Sequence, residues 1–336
     1  MRMIVDAFGG DHAPLEVLKG CVMAKEEYGV DITLCGDEAA IRACAKENGI
    51  ALDGMDILHA PAVIPVEADP TSLLKEYADS SMAVGLKALK NGEGDAFVSA
   101  GSTGALVVGA ALIVKRLRGV RRVALATLIP NANNFYLLMD AGANAECRPE
   151  MLAQFGVMGS VYMERLKGVK NPRVGLVNIG TEETKGLELQ LESYKLLQKA
   201  PVNFIGNVEA RGVPLGECDV AVCDGFTGNV VLKLTEGLAK FFSNELKTMF
   251  MGSLKTKIAA LMMKSSINGF KQKLDYKEHG GAPLLGASLP VIKAHGSSDA
   301  RAFKNAIRQA KEYVDNRVIE EMQSALSALK AETKED

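Results

Sequence analysis

Two stretches of the chain share one pattern, and this internal repeat constrains the fold more than any other feature. Residues 95–107 read DAFVSAGSTGALV and residues 219–231 read DVAVCDGFTGNVV, and the two align without gaps. Each contains a short apolar strand, a Gly-x-Thr-Gly turn and the start of a helix, which is the order of elements in an α/β sheet. One such turn is only a common strand-to-helix connection. Two copies predict two related halves that face one cleft.

The two turns also suggest what the cleft binds. The first residues of a helix carry backbone N–H groups without intrahelical partners, and the helix dipole places positive charge there. Anions bind at such positions. Thr103 and Thr227 add a hydroxyl group to each turn. We therefore expect an anion at the cleft.

The composition excludes several classes of protein. The chain has 336 residues, 48% of them hydrophobic, and a net charge of −2. This is enough for one large domain or two intimate ones, and the balanced charge argues against nucleic acid as a partner. Six Cys without a CxxC pair and only four His argue against a metal centre. A strand follows the first residue directly, so we expect no signal peptide.

The order of predicted elements favours a mixed sheet. Strands are predicted at residues 122–128 and 134–140, and their closeness predicts an antiparallel hairpin. A helix is predicted from Pro70 to about Lys90, and a long helix follows the second repeat as far as Met251. Polar and Gly-rich groups recur at the ends of predicted strands, where open α/β sheets bind ligands. No Gly-x-Gly-x-x-Gly or Walker A motif stands in the expected place, which disfavours dinucleotide and ATP binding.

A basic segment without acidic residues extends from residue 246 to residue 274. Leu254, Ile258, Leu261 and Met262 fall on one face of a helix predicted within it, and lysines surround that face. We predict a helical hairpin at about residues 240–273 whose apolar face contacts a membrane. An acidic protein partner would suit the same lysines. The alternative is a hairpin that packs a dimer, with a solvated lysine rim.

Taken together, these stretches resemble a family. The chain resembles the bacterial phosphate acyltransferases of phospholipid synthesis, the PlsX type. The matching stretches occur in order over nearly the whole chain: DAFGGDHAP at residues 6–14, SAGSTGA at 99–105, DAGAN at 140–144, NIGTEETKG at 178–186, GNVE at 206–209, DGFTGN at 224–229, GGAPLLG at 280–286 and HGSS at 295–298.

The resemblance implies a fold and a reaction. The fold is a three-layer α/β/α, Rossmann-like architecture similar to isocitrate dehydrogenase and phosphotransacetylase, in a single domain over residues 1–330 with a polar tail at 331–336. Inorganic phosphate attacks the thioester of a long-chain acyl-acyl carrier protein, giving acyl phosphate and free carrier. The resemblance also implies a cytoplasmic homodimer attached loosely to the membrane, where a glycerol-3-phosphate acyltransferase takes the product.

The chemistry requires a site that holds a phosphate dianion beside a thioester and stabilises an oxyanion. Lys185 is the predicted cation, although a solvated helix lysine would look the same. Asn229 and Asn178 are predicted amide donors, and His12 is a predicted acid or phosphate ligand. The residues predicted to bind substrate are Gly9, Gly10, Gly101, Ser102, Thr103, Gly104, Asn144, Gly225, Thr227, Gly228, His295 and Ser297. Structural roles as caps or buried polar groups remain open for several of them.

Two other functions fit the same sequence features. One is a phosphotransacetylase-like enzyme that uses acyl-coenzyme A. The other is a non-catalytic scaffold that docks acyl carrier protein on a membrane. The two Gly-x-Thr-Gly turns with Lys185 and Asn229 favour catalysis. We expect neither a cofactor nor a metal, because the thioester itself supplies the driving force.

Overall fold

The computed structural model describes residues 1–267, 269 and 280–332. Within them, eleven strands form one sheet in the order β3-β2-β1-β4-β11-β10-β5-β6-β9-β7-β8. The strands are β1 (Arg2–Asp6), β2 (Asp31–Gly36), β3 (Met55–His59), β4 (Ala96–Ser99), β5 (Ala124–Asn131), β6 (Asn134–Met139), β7 (Arg173–Asn178), β8 (Asn203–Glu209), β9 (Val220–Val222), β10 (Ala282–Leu285) and β11 (Val291–Lys293).

The α-helices cover both faces of this sheet. They are α1 (Leu15–Tyr28), α2 (Glu38–Glu47), α3 (Ser81–Lys90), α4 (Thr103–Gly109), α5 (Pro149–Lys167), α6 (Glu188–Gln198), α7 (Gly225–Met251), α8 (Leu254–Met262), α9 (Ala300–Asp315) and α10 (Val318–Glu332). Alternation along the strands explains the layers, because successive side chains point to opposite faces. In β1, Met3 and Val5 join a core cluster with residues of α1 and α9, whereas Ile4 joins a cluster with residues of α3 and α4. The predicted three-layer α/β/α fold is confirmed.

The sheet consists of two parallel halves that run in opposite directions. Strands β3, β2, β1, β4 and β11 are parallel, as are β6, β9, β7 and β8. Between them, β10 is antiparallel to both β11 and β5, and β5 forms the predicted antiparallel hairpin with β6. The carboxyl ends of the two halves therefore point in opposite directions along the sheet.

The register places these opposing ends at nearly the same level. Lys293, the last residue of β11, pairs with Ala282 at the start of β10. Further along, β10 pairs with the start of β5, and Met139 at the end of β6 pairs with Ala126 of β5 and with Val222 at the end of β9. Loops that follow strands of both halves therefore meet beside β10 and β5. One core cluster also contains residues of both halves. The single domain over residues 1–330 stays a prediction.

The predicted helix from Pro70 to Lys90 is wrong. Instead, a short 3₁₀ helix at Pro70–Leu74 is separated from α3 by a loop. The Asp69 side chain accepts a hydrogen bond from the backbone of Thr71 and begins the first turn. Ser80 is extended, with φ −69° and ψ 155°, and its side chain caps α3. Two N-caps in one stretch begin two helices, because a capping residue has non-helical backbone angles.

Helices α7 and α8 leave the body of the protein. Buried residues in α7 are confined to Gly225 and Gly228, and α8 has none. The apolar face predicted for α8 is solvent-exposed, with 76% of Leu254, 54% of Ile258, 76% of Leu261 and 83% of Met262 accessible. The far part of the predicted hairpin, at 268 and 270–273, lies outside the described residues. Among those described, no helix is both long and apolar enough to span a bilayer.

Candidate active site

A cavity of about 420 Å³ lies where the ends of the two half-sheets meet. This volume is in the range of small-molecule sites. Apolar side chains of β5 and α7 line much of the cavity, with Leu125, Leu128, Ile129, Leu232 and Ala239 among them. Polar groups line the rest. The cavity is therefore suited to a ligand that has both an apolar body and a charged end.

The polar part combines groups from both repeats and from the end of β11. Thr103 at the start of α4 and Asn229 in the first turns of α7 line the same cavity, together with Lys233, Lys293 and His295. The predicted meeting of the two Gly-x-Thr-Gly turns is thus supported, since each turn contributes residues to one cavity. Cations and neutral donors predominate here. The lining carboxylate Glu236 is paired with Lys233 at 2.9 Å.

Lys293 was not predicted from the sequence, although it is the most deeply buried cation of the cavity. Only 8% of the residue is exposed. Its Nζ donates hydrogen bonds to the carbonyl oxygens of Ala100, at 3.2 Å, and Ala294. Burial lowers the pKa of Lys293 to about 8, and the nearby carboxylates Asp6 and Asp11 offset only part of that effect.

His295 is oriented by the residues that follow it. Its Nδ1 accepts a hydrogen bond from the Ser297 backbone N–H at 3.2 Å and lies 2.9 Å from the Ser297 hydroxyl. A nitrogen that accepts cannot carry the proton, so the neutral ring is protonated at Nε2. Ser297 itself does not line the cavity. In this arrangement it fixes the tautomer of His295, while its predicted role in substrate binding stays a prediction.

Asp140 holds the loop that forms the floor of the cavity. This fully buried carboxylate accepts hydrogen bonds from the backbone N–H groups of Leu125, Gly142, Ala143 and Asn144, at 2.8 to 3.2 Å. The Asn144 side chain donates to Asp140 and to the carbonyl oxygen of Val123, both at 2.8 Å. Its amide N–H groups are thus used within the protein, although the residue was predicted to bind substrate. Burial raises the pKa of Asp140, and its hydrogen bonds oppose the rise.

The second Gly-x-Thr-Gly turn is fixed by its own residues. Asp224 caps α7 and accepts hydrogen bonds from both the backbone N–H and the hydroxyl of Thr227, at 2.9 and 2.8 Å. The Thr227 hydroxyl is therefore directed to the cap. Gly225 lines the cavity, and its N–H donates to the carbonyl oxygen of Asn144 at 2.8 Å. The turn thus positions the start of α7, and with it Asn229, beside the Asp140 loop.

Gly228 provides a direct test of this close packing. A β-carbon there would overlap the carbonyl oxygen of Asp140, whereas a β-carbon at Gly237 of the same helix would contact nothing within 4 Å. We expect Gly228→Ala to lower the free energy of unfolding by about 1–3 kcal/mol through overpacking. The matched Gly237→Ala should raise it by about 0.5–1 kcal/mol, since alanine favours helix. Chemical denaturation measures both, and equal effects of the two changes would contradict this packing.

The first turn is supported from outside the cavity. The Ser99 hydroxyl donates to Asp6 at 2.6 Å and accepts from the Gly101 N–H at 3.0 Å. A β-carbon on Gly9 would lie 2.6 Å from the Gly101 nitrogen, so only glycine allows the loop after β1 to approach this closely. Gly10 has a φ of 103° and lies next to the Gly296 carbonyl. These glycines shape the loop around the cavity.

Two other members of the first turn also have local contacts. The Ser102 side chain caps α4 by accepting a hydrogen bond from the Ala105 N–H at 3.4 Å. A β-carbon on Gly104 would lie 2.7 Å from Pro70, so the turn packs against the 3₁₀ helix. Of the residues predicted to form the site, the cavity lining contains Thr103, Gly225, Asn229 and His295. Roles in substrate binding for the others stay predictions.

The remaining predicted catalytic residues lie away from this lining. Lys185 is on the loop after β7, half exposed, with its Nζ 3.9 Å from Glu182. Asn178 supports that loop by donating to the Lys185 carbonyl oxygen at 2.9 Å. His12 is exposed on the loop after β1. The structure does not bring these three side chains to the cavity, and their catalytic roles stay predictions.

Comparison with known proteins gives close relatives. The family model described as fatty acid synthesis protein matches residues 1–321. A phosphate acyltransferase of Alkaliphilus oremlandii (strain OhILAs) is 47% identical over 329 residues, covering 98% of each chain. One of Clostridium botulinum (strain Loch Maree / Type A3) is 47% identical over 330 residues, again covering 98% of each.

Solved structures with low identity share the fold. A phosphotransacetylase from Streptococcus pyogenes has a TM-score of 0.64 at 16% identity, over 95% of this chain and 94% of the other. The EutD phosphotransacetylase from Staphylococcus aureus has a TM-score of 0.58 at 16% identity, over 97% and 94%. This likeness confirms the fold expected from the sequence.

Proposed function

The chain belongs to the phosphate acyltransferase family, and we propose that this acyltransferase moves a long-chain acyl group from acyl-acyl carrier protein to inorganic phosphate. The product is an acyl phosphate for phospholipid synthesis. The observation that carries the proposal is one cavity lined both by apolar side chains and by cations and an amide donor. An acyl chain suits the apolar lining, and each buried CH₂ contributes about 0.8 kcal/mol.

The proposed reaction is a direct displacement. A phosphate oxygen attacks the thioester carbonyl carbon, a C–O bond forms, and the carbonyl oxygen becomes an oxyanion. The Asn229 amide N–H is the proposed donor to that oxyanion, since the residue lines the cavity beside Gly142. The C–S bond then breaks, and the leaving thiolate takes a proton. That proton is the one the attacking hydrogen phosphate gives up, and the Nε2–H of neutral His295 is a proposed hydrogen-bond donor to the leaving sulfur.

The cysteines support a mechanism without an acyl-enzyme intermediate. A thiol reacts as its thiolate, so a raised pKa suppresses its nucleophilicity. Burial raises the pKa of Cys147, the cysteine closest along the chain to the cavity loop, to about 12, and the same holds for Cys218. Burial also raises the pKa of Cys21, Cys35 and Cys223. Phosphate, in contrast, is already an anionic nucleophile at neutral pH.

The donor distinguishes this proposal from the acyl-coenzyme A alternative. Purified protein would be supplied with phosphate and either palmitoyl-acyl carrier protein or palmitoyl-coenzyme A, and free thiol would be followed. We expect much faster phosphate-dependent release from the carrier protein. Faster release from coenzyme A would favour the phosphotransacetylase-like reaction. Absence of release from both would leave the non-catalytic scaffold.

The projecting helices support the proposed partners. Exposed lysines on α7, α8 and the residues just after them could bind an acidic carrier protein or an anionic membrane surface: Lys240, Lys247, Lys255, Lys257 and Lys264. Phe241 and Phe242 of α7 are more than half exposed, and such a patch suits a second copy of the chain. We therefore propose a homodimer that attaches to the membrane peripherally and delivers acyl phosphate to a membrane glycerol-3-phosphate acyltransferase.

The membrane proposal predicts a loss of vesicle binding. Leu254→Glu with Ile258→Glu should abolish flotation with anionic vesicles, because burying each large side chain contributes at best about 1.5–3 kcal/mol. The lysines add about 1 kcal/mol each at low salt, so binding should be reversible and salt-sensitive. Activity on acyl carrier protein in solution should largely remain, since these residues are remote from the cavity lining.

A charge-matched variant separates apolar burial from electrostatics. Ser265→Glu with Ser266→Glu adds the same two charges at exposed positions just beyond α8. We expect this control to weaken flotation without abolishing it. Unchanged flotation of the Leu254 and Ile258 double variant would contradict the membrane proposal. If the Leu254 and Ile258 double variant is instead monomeric, the apolar face of α8 belongs to the subunit interface.

A further inference from the structure

We infer that Lys293 is the residue that binds the phosphate co-substrate, at the buried end of the cavity. The inference rests on the proposed function, because it takes inorganic phosphate as a substrate. It assigns the principal cation to the end of β11 and not to the loop after β7, where the sequence placed it. The evidence is the burial of Lys293, the set of its partners and its place among the cavity residues.

The first observation is a buried ammonium group that has no described carboxylate in direct contact. Lysine is almost never fully buried unless it is paired, because removing its charge from water is costly. Lys293 is 8% exposed, yet it has no carboxylate within 4.0 Å among the described residues. Its partners there are the carbonyl oxygens of Ala100 and Ala294. An ammonium group has three donors, so one has no partner in that part of the chain.

The groups around Lys293 favour an anion as the partner of its third N–H donor. Lys293 lines the cavity together with His295, Gly296 and Thr103, and Lys233 of α7 lies close enough to act on its charge. The charged groups around it are Asp6 at the end of β1, Asp11 on the following loop, Lys233 and Glu236. Glu236 is already paired with Lys233. Lys293 is therefore the lysine of this cavity whose charge has no carboxylate in contact within the described ranges, and that charge is available to a phosphate anion.

Binding of phosphate alone tests the inference without any acyl donor. We would measure the thermal stability of the whole protein in phosphate and in chloride of equal ionic strength. Wild type should be stabilised by phosphate, and Lys293→Met should lose that stabilisation. Lys90→Met, which removes an exposed lysine at the end of α3, is the matched control and should behave as wild type. A phosphate-dependent shift retained in Lys293→Met would overturn the inference.

Steady-state kinetics provide a second test of phosphate binding by Lys293. In Lys293→Met the KM for phosphate should rise by about 100-fold or more, because one partner of a buried charge pair is removed. The KM for the acyl donor should change little. An equal rise in both constants would indicate a structural role and overturn the inference. If wild type binds phosphate through Lys293 but makes no acyl phosphate, the site stands and the proposed function fails.

If Lys293→Met does not fold, the pH dependence of wild type and of Lys293→Arg tests whether Lys293 binds phosphate. The ammonium form of Lys293 is present below its pKa of about 8 and is lost as the pH rises through it. Wild-type kcat/KM for phosphate should therefore fall above about pH 8. Lys293→Arg keeps its charge throughout and should not show that fall. The same alkaline fall in both proteins would overturn the inference.

Discussion

Replacing Asp140 with alanine is expected to lower the free energy of unfolding by about 4 kcal/mol or more. Four backbone N–H groups donate to this carboxylate, and each buried donor left without a partner costs about 1–3 kcal/mol, less where water enters. The groups belong to Leu125, Gly142, Ala143 and Asn144, so the change affects both β5 and the cavity loop. Urea denaturation followed by circular dichroism measures the loss.

Two further variants test whether the lost stability comes from the hydrogen bonds of Asp140. Asp140→Asn retains one carbonyl oxygen and should lose about half as much stability. Asp56→Ala removes an exposed carboxylate that lies 3.4 Å from Arg2, and such surface pairs contribute about 0–1 kcal/mol. If Asp140→Ala unfolded at the same urea concentration as Asp56→Ala, the loop would not depend on the buried carboxylate.

The second large effect is expected at Asn229. Asn229→Asp preserves size but replaces the amide donor with an acceptor, so it should repel both phosphate and the developing oxyanion. Loss of one oxyanion donor costs about 10²–10³-fold in kcat, and the added negative charge should increase that loss. Because Asn229 is exposed at the cavity, the melting temperature should hardly change. Steady-state thiol release measures turnover.

The same helix offers a control with identical chemistry. Asn244→Asp makes the same substitution at an exposed position several turns further along α7, outside the cavity lining. It should leave turnover within about twofold of wild type, since surface charges in water interact weakly over such distances. Comparable losses in both variants would show that the effect comes from the helix or from net charge, and would remove Asn229 from the reaction.

Much of the fold was predictable because it is encoded locally. Alternating apolar residues and turn chemistry located the hairpin of β5 and β6, and Pro149 marked the start of α5. The strand β10 was recognised only as a Gly-rich motif. It has four residues, begins after two glycines and includes Pro283, so no periodic pattern could emerge. Yet this strand joins the first half-sheet to β5, whose hairpin with β6 then reverses the strand direction.

The site was less predictable because tertiary burial decides its chemistry. Thr103 and Asn229 were found since the repeat carries a local signal. Lys293 is the last residue of a short strand and looks like an ordinary solvated lysine in the sequence. Its burial depends on the placement of β11 between β4 and β10, which are distant in the chain. The available signal was a lysine two residues before His295 at the end of an apolar strand.

The most direct test of the central claim, direct attack by phosphate, is rapid mixing of protein with palmitoyl-acyl carrier protein in the absence of phosphate. Covalent catalysis would release one thiol per subunit in a burst and leave an acylated side chain. The account predicts no burst and no mass increase of the protein, followed by thiol and acyl phosphate in equal amounts once phosphate is added. A stoichiometric burst with an acylated serine or cysteine would contradict it.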